Sequence, residues 1–147
     1  MKKSTDDLMN MLKASPDIED FFRENDDEIF FDSLSRLLDF YRVQKGIKKS
    51  EVVQRSCLDR SYAYQLLNGS IKKSPSRDKV IMLCYGLSLD VEETQNVLKK
   101  GGCGALYPRD TRDAIIIHCI KSKKSVVETD MKLSEYGLET LIKPPRD

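Results

Sequence analysis

A shift of 35 residues takes Arg77 to Arg112 and lays "RDKVIMLCYGLSLDVEETQNVLKKGGCGAL" over "RDAIIIHCIKSKKSVVETDMKLSEYGLETL". Arg77, Asp78, Cys84, Val91, Glu93, Thr94, Leu98 and Gly102 recur as Arg112, Asp113, Cys119, Val126, Glu128, Thr129, Leu133 and Gly137. Val80 and Ile115, Ile81 and Ile116, and Leu106 and Leu141 match in kind. A repeat constrains the fold strongly, because each copy must build the same supersecondary unit. Each copy reads as two helices. The first is apolar and begins after Arg-Asp. The second opens near Val-x-Glu-Thr, with carboxylates in its first turn, where they suit the helix dipole. Two copies are too few for a free-standing solenoid. The second is therefore expected to dock on the first, with Cys84 and Cys119 at equivalent inward positions.

The rest of the chain also reads as helix, and the expected class is all-α. No apolar–polar alternation is sustained and β-branched runs are few. Near the N-terminus, Ser4 or Thr5 caps a helix carrying Leu8, Met11 and Leu12 on one face. Pro16 restarts the helix, Phe21 and Phe22 continue the stripe, and residues 25–28 form a polar break. From Ser33, the residues Leu34, Leu37, Leu38 and Tyr41 form a stripe that ends at Lys45-Gly46. A short helix over Lys49 to Arg55 turns Val52 and Val53 inward. A brief break follows, and Asp59 caps a helix that stops at Asn68-Gly69.

Charge divides the chain. Residues 1–32 hold four basic and ten acidic side chains, and residues 48–79 hold eight basic and three acidic ones, within a total near neutrality at +1. Local charge is therefore informative where the whole is not. A charged fraction of 33% against a hydrophobic fraction of 39% is that of a globular domain rather than a disordered chain. No apolar run approaches the roughly 20 residues of a membrane span. The N-terminus does not read as a signal peptide, so a cytoplasmic location is expected. Cys57, Cys84, Cys103 and Cys119 form no close pair and His118 is the only histidine, so no metal site or disulfide is expected. The cysteines, and His118 within "AIIIHCI", read as wholly or partly buried structural residues. With one histidine and no glycine-rich phosphate loop, no enzyme and no cofactor are expected.

The segment "KGIKKSEVVQRSCLDRSYAYQLLNG" resembles the helix-turn-helix of the XRE family, the Cro and lambda-repressor-like domains. The matching features are Lys45-Gly46, Glu51, the turn Ser56-Cys57-Leu58, a polar helix from Asp59, Asn68-Gly69 and Pro75-Ser76. Leu87-Ser88-Leu89-Asp90 is similar to the family's link before its fifth helix. The match covers roughly residues 33–100. More loosely, the whole chain resembles bacterial XRE-like proteins with an acidic N-terminal extension and a C-terminal "YPRDxRDAIII" segment. The chain also departs from the family pattern. Cys57 replaces the turn glycine, and either avoids a left-handed conformation or holds one under strain. Leu67 stands where the family often has a glutamate that pairs with an arginine such as Arg42. The loop over residues 70–75 is about one residue longer than in compact phage repressors.

The resemblance implies three parts: an acidic helical extension over 1–32, a five-helix lambda-repressor-like domain over 33–104, and a helical hairpin over 105–147 that repeats 76–106. It also implies a recognition helix in the major groove of double-stranded DNA. Arg60, Ser61, Tyr62 and Gln65 would reach base edges, with arginine suited to guanine and glutamine to adenine. Lys48, Lys49, Asn68, Lys72 and Lys73 would meet phosphates. Tyr64 reads as a packing or interface residue, and Ser74 and Ser76 as loop and capping residues. The expected function is transcriptional regulation. A protein-interaction module that keeps the fold without binding DNA is the alternative. A homodimer and a separate protein partner stay open, and no membrane partner is expected.

Overall fold

The computed structural model describes residues 4–14 and 34–143, and among these every regular element is a helix. They are α1 (Thr5–Ala14), α2 (34–45), α3 (Lys49–Ser56), α4 (Arg60–Asn68), α5 (Arg77–Gly86), α6 (Val91–Lys100), α7 (Thr111–Lys121) and α8 (Val126–Glu135). No helix among the described residues is long and apolar enough to cross a membrane. The helix restart expected at Pro16, the Phe21–Phe22 stripe and the break at 25–28 lie outside the described residues.

Ser4 Oγ accepts the Asp7 N–H at 3.0 Å and starts α1. None of the α1 residues is buried, with Leu8 and Met11 half-buried and Leu12 exposed. Ten residues make fewer than three turns, and such a helix depends on packing for its stability. The stripe expected on α2 does bury Leu34, Leu38 and Tyr41. Lys45 Nζ lies 3.0 Å from Glu93 Oε1 and joins the end of α2 to the start of α6.

α5 forms the centre. Val80, Ile81, Met82, Leu83, Cys84 and Gly86 are all buried, as in a helix covered on every side. α3 crosses it closely, with Val52 and Val53 in the core. At the crossing, a Cβ on Gly86 would overlap the carbonyl oxygen of Val52, so only glycine allows this approach.

The repeat is carried down to single hydrogen bonds. Asp90 and Ser125 each cap their helix with a reciprocal box, to Glu93 and Glu128 respectively. Ser88 and Lys123 are left-handed at φ 55° and 56°, and Gly102 and Gly137 at 65° and 69°. The Gln95 side chain accepts the Leu106 N–H at 2.7 Å, and Asp130 accepts the Leu141 N–H at 2.6 Å. Cys84 and Cys119, like Leu98 and Leu133, are buried, as the repeat requires.

The copies meet through exchanged ion pairs. Arg77 clasps Asp113 at 2.9 and 2.6 Å, and Arg112 clasps Asp78 at 2.9 Å through both of its terminal nitrogens. Each arginine thus takes the aspartate of the other copy, as across a local two-fold axis. Asp113 also accepts the Tyr107 N–H, and Lys143 approaches Asp78 at 3.4 Å. Two side chains depart from expectation. His118 is exposed, not buried. Its counterpart Leu83 lies in the core on α5, which α3 covers, whereas α7 packs chiefly on α6 and α8. Cys57 is exposed because it sits in the turn between α3 and α4.

Gly86→Ala should lower the free energy of unfolding by at least about 2 kcal/mol, from overpacking against backbone that cannot yield; denaturant titration measures it. A second expectation concerns acid. Burial raises the Asp78 pKa, but hydrogen bonds and charge from Arg112, then Lys143, outweigh that and hold it below its ordinary 3.8. A lowered folded-state pKa contributes stability that is present above 3.8 and lost as pH falls through the folded value. Asp78→Asn should therefore be less stable than wild type at neutral pH and lose less stability on acidification below pH 4; unfolding curves across that range check it.

Candidate nucleic-acid interface

α3 and α4 are joined by the three-residue turn 57–59. Cys57 holds φ 61°, ψ 15°, so the left-handed turn survives without glycine. Its N–H bonds back to the Gln54 carbonyl at 3.4 Å, and Ser56 Oγ accepts the Leu58 N–H at 3.2 Å. Local desolvation, then the Asp130 carboxylate, push the Cys57 thiol pKa up. Asp59 Oδ2 accepts the Tyr62 N–H at 3.0 Å and fixes the start of α4, as expected. Ala63, Leu66 and Leu67 point into the core, leaving Arg60, Ser61 and Gln65 exposed. Gly69, at φ 72°, ends the helix.

Tyr62 is only half exposed. Lys79 Nζ stands 4.5 Å from its ring centroid, a cation–π distance. Burial, then Cys103, raise the pKa of its hydroxyl. Arg60 leans over Tyr64, with its guanidinium carbon 5.8 Å from the ring centroid. Lys48, Lys72 and Lys73 are exposed. Lys49 Nζ donates to Asn68 Oδ1 at 2.9 Å, tying the start of α3 to the end of α4. This joins two of the residues expected to meet phosphates, and they share one bond before any ligand arrives.

The helix starts differ in chemistry. Asp59, Ser76, Asp90, Asp110 and Ser125 cap α4 to α8 with side-chain oxygens. At α3 the capping position holds Lys48, which makes no side-chain cap bond. The N–H groups of Lys49 and Ser50 are therefore left without a side-chain cap, an arrangement suited to an anion, while the Glu51 N–H bonds back to the Lys48 carbonyl at 3.0 Å. No family model, curated protein or solved structure matches this chain.

Lys79 was not anticipated from the sequence. A lysine in the first turn of a helix faces the positive end of the dipole and needs a compensating partner, which is the signal that could have marked it. Arg42 has found partners other than the family's glutamate. Its Nε donates to Asp39 at 2.9 Å and its Nη1 to the Ile47 carbonyl at 3.1 Å.

Left-handed backbone costs a residue with a Cβ about 1 kcal/mol or more. Cys57→Gly should raise stability by about 0.5 kcal/mol, after the larger entropy of unfolded glycine is subtracted. Cys57→Val should lower it by more than about 1 kcal/mol. Denaturation of the two variants beside wild type gives both signs.

Proposed function

We propose that the chain is a sequence-specific DNA-binding regulator of XRE type, with α2 to α6 in a lambda-repressor-like arrangement and α3 and α4 as its helix-turn-helix. The observation that carries this reading is a single basic surface. It combines the uncapped start of α3 at Lys48 and Lys49, the Lys49–Asn68 bond to the end of α4, and the outward Arg60, Ser61 and Gln65. The resemblance in residues 45–69 supports the same assignment.

In this reading α4 enters the major groove. Arg60 donates to guanine O6 and N7, Gln65 pairs with adenine, and Ser61 bonds to a neighbouring base edge. Tyr62 has a smaller part than its position suggests. Its ring is held under Lys79, so it offers a ring edge or hydroxyl near the backbone, and Lys79 joins Lys72 and Lys73 as a phosphate donor. The open N–H groups of α3 take one phosphate, with Lys48 and Lys49 beside it. These backbone contacts supply affinity and register, and α4 supplies sequence preference.

Selection of a binding site from random duplexes with the full chain, followed by titration at several salt concentrations, tests the reading. Affinity should fall steeply with salt. Arg60→Ala or Gln65→Ala should weaken the selected site by about 1–3 kcal/mol and relax preference at one base pair. Lys72→Ala should weaken all duplexes alike and reduce the salt slope by about one. Absence of salt-sensitive binding to any duplex would favour the protein-interaction module instead.

A further inference from the structure

We propose that a cavity of about 730 Å³ between the two hairpin turns is a binding site for a small amphipathic carboxylate. The proposal is independent of DNA binding.

The cavity arises where the symmetry of the repeat is broken. The Arg77–Asp113 and Arg112–Asp78 pairs join the starts of α5 and α7. The other ends of these helices converge on the cavity, which is lined by the equivalent pairs Tyr85 and Ile120, Ser88 and Lys123, and Leu89 and Lys124. On one side of the local axis, the Tyr85 hydroxyl lies 2.7 Å from Thr129 Oγ1 and closes the contact. The matching contact would join residue 120 to Thr94, but residue 120 is isoleucine. Thr94 is wholly buried in the cavity wall, and its hydroxyl meets no nitrogen or oxygen partner. The adjacent Cys84 thiol is only a weak one. Thr129 also bonds back to the Ser125 carbonyl at 2.9 Å, a bond Thr94 lacks. With isoleucine at 120 there is neither a ring's volume nor a hydroxyl to meet Thr94, and the cavity borders both residues.

The lining selects the ligand's chemistry. Tyr85, Leu89, Val91 and Ile120 give an apolar wall. Lys45, Lys121, Lys123 and Lys124 stand around it, with Asp90 and Glu92. Lys45 is paired with Glu93, and Lys124 lies 3.9 Å from Glu128. Asp90 is engaged as a helix cap. The lining itself carries four lysines against Asp90 and Glu92, and Lys121 and Lys123 make no ion pair among the described residues. The helix starts at the cavity are closed by their own capping boxes, so no cradle of free N–H groups is present for a phosphate. Lysines act as point charges, which suits a carboxylate head on an apolar body. The volume lies within the usual range of small-molecule sites, about 300–1,000 Å³.

Octanoate is the probe, with octanol and octylamine as controls, added to the full chain and followed by calorimetry and amide NMR. Octanoate should bind saturably at concentrations up to about 10 mM and shift the resonances of Leu89, Thr94 and Ile120. Octanol should bind more weakly and octylamine least. Ile120→Tyr should refill the cavity, give Thr94 the partner that Thr129 has, keep or raise the melting temperature, and weaken octanoate at least tenfold. The surface variant Lys121→Glu with Lys123→Glu, which leaves the core untouched, should weaken octanoate about tenfold and octanol little. No saturable octanoate binding, equal binding of octanoate and octylamine, or binding that survives both variants would overturn the proposal.

Discussion

The burial of α5 on every side is the constraint from which the arrangement of this protein follows. A helix with six of its ten residues buried must be covered by several elements at once. Each large side chain so buried stabilises the fold by about 1.5–3 kcal/mol. α3 can approach only because Gly86 has no side chain to meet the Val52 carbonyl. The start of α5 carries Arg77 and Asp78 to the second hairpin and Lys79 to Tyr62. The basic surface on α3 and α4, and the cavity between the hairpin turns, are therefore both positioned by one helix.

The exchanged arginine–aspartate pairs set register more than they add stability. They are bidentate and partly shielded, with Asp113 buried and Arg77 still 30% exposed. Removing one partner of such a pair costs more than the pair itself is worth, because a shielded charge is left alone. Four side chains must match at once for the two hairpins to seat, and a slip of one residue would separate them all. Apolar contact alone would not select that register.

The two hairpins also show how equivalent backbones come to different uses. Caps, left-handed turns and the side-chain bonds to Leu106 and Leu141 correspond closely. The differences lie where the surroundings differ. Leu83 lies in the core, while His118 faces solvent. Tyr85 reaches Thr129, while Ile120 leaves Thr94 with only the weak Cys84 thiol beside it. The framework is shared, and individual side chains on it have diverged.

Helix positions and the caps at Ser4, Asp59 and Ser76 were legible in the sequence, because each rests on residues within one or two turns of one another, and the repeat was legible from its matching residues. Asp59 before "RSYAYQLLN" is enough to start α4, and the spacing of Ala63, Leu66 and Leu67 is enough to turn Arg60, Ser61 and Gln65 outward. The partners of long side chains were not legible. Lys79 over Tyr62, Lys49 on Asn68, and each arginine on the aspartate of the opposite copy join residues 17 to 36 positions apart. Cys57 was ambiguous for a related reason: the sequence names a residue ill suited to left-handed backbone, and only the fixed ends of α3 and α4 impose that conformation. Local patterns of capping and periodicity thus determined the elements. The tertiary structure decided which side chains meet, because that depends on where separate helices cross and on what covers each face.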